Sequence, residues 1–120
     1  TEKENIIVVT LKGAFNELGI GNITDGVKSV VLDFKGSNFA ILVDISLLEG
    51  GTLESYQLLE DYNNWLNNAS LIAKAIVFKS EIPLVIMERL SPALHKQNIR
   101  KFCNKEEGLH WLRKELIAAG

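Results

Sequence analysis

The sequence predicts an α/β domain, a mostly parallel sheet of four to five strands with about four helices. Short β-branched or apolar runs begin at Ile6, Phe39, Ile72 and Ile99, and the segments between them carry apolar residues at helical spacing. Strands that alternate with helices pair in parallel through right-handed crossovers. Length sets the third bound: 120 residues make a single domain, residues 1–120, without linker, repeat or low-complexity tract.

Ile6 to Leu11 (Ile-Ile-Val-Val-Thr-Leu) reads as a strand that Gly13 ends, with Phe15 continuing into a second short strand before Asn16. Asn16 is an N-cap residue, since its side-chain oxygen can accept from the free N–H groups of the next turn. Ile23, Val27, Val30, Val31 and Phe34 predict a helix over 22–35, with Gly36 at its end. Gly19, Gly21 and Gly26 each lower helix propensity by about 1 kcal/mol, so the first turn from 17 is expected to be ragged. Phe39 to Ile45 is nearly continuous apolar sequence, as in a central strand covered on both faces, with Asp44 near its end.

Ser46 to Gly51 reads as a loop, and Thr52 as the cap of a helix running to Asn67. Leu58, Leu59, Tyr62, Trp65, Leu66 and Ala69 share one stripe of that helix. Leu53 and Tyr56 fall off the stripe, either as staples to the preceding loop or as an exposed contact patch. Ile72 to Phe78 is a strand broken only by Lys74. Pro83 to Leu90 reads as a short helix, with a strand over Leu84 to Met87 as the alternative. Ser91-Pro92 interrupts it and caps a further turn through His95. Ile99 to Cys103 is a short last strand. Asn104 and Glu107 form a capping pair for a helix whose stripe is Leu109, Leu112 and Leu116.

Apolar residues are 47% of the chain and charged residues 23%, as in ordinary globular domains. Apolar runs such as Ile6–Val9 and Ala75–Phe78 fall far short of the roughly 20 residues a membrane span needs. The single cysteine, Cys103, cannot form an internal disulfide, so a cytoplasmic setting is expected. Residues 1–72 hold 4 Lys+Arg against 10 Asp+Glu, and residues 73–120 hold 9 against 5. A partner could dock on such a polarity, although solvated charge that happens to cluster gives the same pattern.

No catalytic, metal or cofactor set emerges. Gly19-Ile20-Gly21 lacks the third glycine of a dinucleotide loop, because position 24 is Thr24. His95, His110 and Cys103 have no paired ligand spacing. Cys103 reads as a small buried apolar residue. Asp44 with Glu49 could be drawn as an acid–base pair, but Asp44 more simply bonds nearby amides. Lys96, Arg100, Lys101 and Lys105 around Phe102 are too few charges on an acidic domain for a nucleic-acid footprint. The chain is expected not to be an enzyme.

Gly13-Ala14-Phe15-Asn16 resembles the Gly-x-Leu-Asp opening of STAS domains, the fold of anti-sigma-factor antagonists. Val43 through Gly50 resembles the run hydrophobic-Asp-Ile-(Ser/Thr)-x-Leu-(Asp/Glu)-Gly of their SpoIIAA-like branch, which is sometimes grouped with CRAL-TRIO lipid-binding domains. Phe102, Glu106, Glu107, Leu109, Trp111 and Leu112 resemble that branch's ending. The likeness spans roughly residues 6–117 and implies a STAS-like βα sandwich.

It also implies a regulatory, protein-binding module whose partner is released when a serine at the start of the second helix is phosphorylated. The Asp-Ser-Ser-Gly motif of that switch is absent here, which leaves Thr52 and Ser55 as candidate acceptors. The expected partner surface is Ser46, Glu49, Gly50, Gly51 and Thr52, flanked by Leu53 and Tyr56. The likeness to lipid-binding domains, with the apolar run Leu84, Val85, Ile86 and Met87, offers carriage of a small apolar ligand as the alternative. A homodimer is expected if Tyr56 is exposed.

Overall fold

The β-branched run at Ile6 does not stop at Gly13 but continues as one strand, β1 (Ile6–Phe15). The computed structural model describes residues 5–120. The expected second short strand is therefore the far end of the first. Its neighbour β2 (Phe39–Gly51) is longer still and absorbs the expected loop over Ser46–Gly51. The pairing shows why sequence reading stops early. Thr10 faces Asp44 and Lys12 faces Leu47; Gly13 faces Leu48 and Ala14 faces Gly50. At each step β2 spends one residue more than β1, so it carries two bulges. They bring Ile45 and Leu48 to the core three residues apart, which erases the alternation that marks a strand.

Helix α1 (Glu17–Asp33) starts at Asn16, whose side chain accepts from the Gly19 amide. Its three glycines do not unwind the first turn, because Ile20, Thr24, Val27 and Val31 form a buried stripe along its whole length. Packing of one face outweighs local propensity. Thr52 caps α2 (Leu53–Asn67), and strand β3 (Leu71–Val77) follows. The ambiguous segment at Pro83 is helical, as α3 (Glu81–Leu90), and a 3-10 turn over Pro92–Lys96 leads to β4 (Ile99–Phe102). Asn104 then caps α4 (Lys105–Ala119) by accepting from the Glu106 and Glu107 amides.

All four strands are parallel, in the order β1-β2-β3-β4. Successive right-handed crossovers in one direction put α1, α2 and α3 on the same face. A large core lies there, built on Leu11, Ile41, Ile45 and Ile76 of the sheet with Val27, Leu59, Leu66 and Met87 of the helices. Helix α4 comes after the last strand and covers the other face, where Leu112 meets Ala40, Leu42, Ala73 and Ala75. The small sheet residues let α4 come close. A Cβ on Gly108 would stand 3.2 Å from a Leu42 methyl and 3.4 Å from the Ala75 Cβ.

Three side chains depart from expectation. Tyr56 is buried, because it turns back under the β1–β2 extension. Leu58, placed on the buried stripe by periodicity, is exposed. Cys103 is exposed, because it lies in the turn between β4 and α4 where nothing packs over it.

Candidate functional site

Parallel strands end on one side of a sheet, so the helices that follow all begin there. On the face that holds α1, α2 and α3, each first turn carries a large exposed apolar side chain: Leu18, Leu53 and Ile82, which are 70%, 65% and 70% exposed. Each has an acid beside it, Glu17, Glu54 and Glu81, where the positive end of the helix dipole favours a carboxylate. Leu47 on the β2 extension is also exposed.

The residues expected to form a docking loop instead lie at the end of strand β2 and in the turn after it. Ser46 is half-buried, and its amide donates to Asp44 Oδ1 at 2.9 Å. Glu49, Gly51 and Thr52 are exposed, and Gly50 is half-buried. Gly51 is required by close approach, since a Cβ would lie 2.6 Å from Ser55 Oγ and 3.3 Å from the Phe15 carbonyl oxygen. The Thr52 hydroxyl accepts from the Ser55 amide at 3.1 Å. Ser55 is itself 2% exposed and donates its hydroxyl to the Thr52 carbonyl at 2.7 Å, so a kinase cannot reach it in the folded chain. Burial also removes Tyr56 from the expected partner surface and pushes its phenol pKa up. The staple reading holds for Tyr56 and the exposed reading for Leu53. The motive for a dimer through Tyr56 goes with it.

A second cluster lies inside the large core. Lys74 of β3 is 2% exposed, and its Nζ donates to Asn63 Oδ1 at 2.8 Å and stands 5.6 Å from the centre of the Tyr62 ring. Asn63 Nδ2 donates to Ser91 Oγ at 2.9 Å, and Ser91 Oγ donates to Glu60 Oε1 at 2.9 Å. Every bond in this chain points from the buried amine toward the carboxylate, so each polarises the next. The Ala93 amide also donates to Glu60 Oε1, at 3.0 Å. That amide, then the Ser91 hydroxyl, hold the Glu60 carboxyl below its ordinary pKa. Gln97 Nε2 gives Asn63 Oδ1 a second donor at 3.2 Å, while Gln97 Oε1 is buried without a partner. Desolvation lowers the Lys74 amine to about 7.

A cavity of about 30 Å³ adjoins this amine. Lys74, Asn63, Tyr62 and Thr24 line it together with apolar side chains from β1, β2, α1, α2 and α3, among them Leu11, Ile20 and Met87. It holds one or two water-sized groups and no lipid chain. The sequence signal for this cluster was the one charge inside an otherwise apolar strand; nothing local tied Lys74 to Asn63, Ser91 or Glu60.

Elsewhere, two residues of the basic cluster are engaged. Lys101 pairs with Glu88 at 2.8 Å, and Arg100 stacks over Trp111 at 5.3 Å. Among the described residues, no group of three His, Cys, Asp or Glu side chains is placed to hold a metal ion, and no helix is long and apolar enough to cross a membrane.

No family model and no curated protein matches the sequence. A solved structure does: an uncharacterized protein from the DUF3478 family with a SpoIIAA-like fold, from Shewanella loihica PV-4. The two superpose with a TM-score of 0.64 over 88% of this chain and 82% of that one, at 18% identity. The fold is SpoIIAA-like. At this identity the likeness concerns the fold alone, and it agrees with the resemblance carried by Val43 through Gly50 and by the closing helix. The SpoIIAA-like sheet leaves one helix on the second face and places three of the exposed apolar residues, Leu18, Leu53 and Ile82, at the opening turns of the other three.

Proposed function

We propose that this STAS-like module is a non-enzymatic regulatory protein that holds a protein partner at the carboxyl end of its sheet. One observation carries the reading: Leu18, Leu53 and Ile82 stand exposed in the first turns of three neighbouring helices, each next to a glutamate. Apolar anchors ringed by carboxylates fit a partner surface with an apolar centre and a basic rim. Thr52 lies exposed among them, and a phosphate there would add nearly two negative charges to an already acidic rim.

The test is a pull-down with the intact chain and with a Leu18→Asp, Leu53→Asp, Ile82→Asp variant, whose fold is checked by circular dichroism. These side chains are largely solvated, so the variant is expected to fold and to lose partners that the parent retains. A variant that captures the same proteins equally well rejects this surface. A second reading, carriage of a small apolar ligand, is supported by the cavity beside Lys74, whose volume limits the cargo to one or two water-sized groups. Native mass spectrometry of the purified chain separates the two, since only the carrier retains added mass.

A further inference from the structure

The amine of Lys74 stands in the wall of a largely apolar cavity, and among the described residues lining that cavity none is a carboxylate. Asn63 Oδ1 accepts one of its N–H bonds at 2.8 Å and Ser91 in turn holds Asn63, so the nitrogen has a fixed position. We propose that Lys74 is a carbonyl-capturing residue, which condenses inside this cavity with aldehydes of one or two carbons to form an imine.

The balance is simple. The nitrogen lone pair attacks the carbonyl carbon, and the C–O π electrons move to oxygen. A proton passes from nitrogen to oxygen, giving a carbinolamine. The C–O bond then breaks, the remaining N–H proton leaves with the oxygen as water, and a C=N double bond forms. Nothing is oxidised or reduced.

Three features of the site favour this product. First, the cavity of about 30 Å³ accepts the one or two carbons added and excludes long chains. Second, an imine is neutral, so its burial avoids the cost of a buried ammonium. Third, Asn63 Oδ1 keeps a donor in Gln97 Nε2 after the amine has lost its hydrogens. Reactivity is in place as well. With its pKa near 7, about half of the Lys74 amine is neutral at pH 7, whereas an ordinary lysine is neutral to roughly one part in 2,500. Desolvation in an apolar pocket is one of the ways a lysine becomes a nucleophile. Val9, Ile23 and Val43 line the cavity and are only half-buried, which puts its solvent side there.

The experiment uses the intact chain at pH 7 with limiting formaldehyde and cyanoborohydride, which reduces the imine to a stable N-methyl group. Peptide mapping then gives a methylation rate for each lysine. Lys74 is expected to react at least tenfold faster than the exposed Lys79 and Lys105, with a rate that levels off above about pH 7. An unmodified or equally slow Lys74 overturns the proposal. So does a Lys74 rate that rises in step with unfolding when urea is added, because the amine would then be reacting outside its cavity.

Discussion

Replacing Lys74 with methionine should stabilise this protein and remove most of the alkaline rise in its stability. An ordinary lysine titrates near 10.5 and the buried one near 7. Between those values the folded chain binds fewer protons than the unfolded chain. Stability therefore climbs as pH rises from about 7 to about 10.5, by at most about 1.4 kcal/mol per pH unit. Over the whole window the gain is about 5 kcal/mol. Below pH 7 both states are protonated, and the full penalty of a buried ammonium stays constant.

Methionine keeps much of the volume and carries no charge, so the variant escapes that penalty. It loses the bond to Asn63, worth about 1 kcal/mol, while Asn63 Oδ1 keeps the Gln97 donor. The balance at pH 7 is a stabilisation of about 2–4 kcal/mol. Urea unfolding followed by tryptophan fluorescence, from pH 6 to pH 10 on parent and variant, measures both effects. Two curves that run parallel over this range would show that Lys74 is not a buried, depressed amine. A variant less stable than the parent at pH 7 would show that the polar chain contributes more than the charge costs.

The other predictions concern the network and the β2 extension. Ser91→Ala leaves Asn63 Nδ2 buried without its acceptor and should cost about 1–3 kcal/mol, read as a lower urea midpoint. Gly51→Ala forces a Cβ against Ser55 Oγ and the Phe15 carbonyl and should destabilise by about 1–3 kcal/mol; adding Ser55→Ala should make the second change milder than it is alone, in a double-mutant cycle. The Glu60 carboxyl titrates below its ordinary value, so the stability it contributes is present above the usual carboxylate range and fades as pH falls through the lowered folded value. Glu60→Gln should therefore flatten the acid limb of thermal unfolding as pH falls below the usual carboxylate range, and an unchanged limb would place the acid-sensitive carboxylates elsewhere.

Much of the fold was legible because its signals are local. Asn16, Thr52 and Asn104 were each readable as caps from one side chain and the turn after it, and each accepts from the amides of that turn. The continuous apolar run at Phe39 announced a strand covered on both faces, and helices lie on both. The second half of β2 was not legible. Its strand character comes from pairing with β1 across two bulges, which no window of neighbouring residues displays. The candidate surface divides the same way: exposed Leu53 was read as a possible contact from its place off the stripe, whereas Leu18 and Ile82 joined it only when the parallel sheet brought three helix starts to one end.

Sequence alone decided the alternation of strands and helices, and with it the parallel sheet and the handedness of its crossovers, because periodicity and capping act over a few residues. Tertiary structure decided which polar groups are buried together. Lys74 comes from β3, Asn63 and Glu60 from α2, and Ser91 from the junction after α3. The low dielectric that depresses the amine, and the space beside it, exist only once α1, α2 and α3 have closed over the sheet.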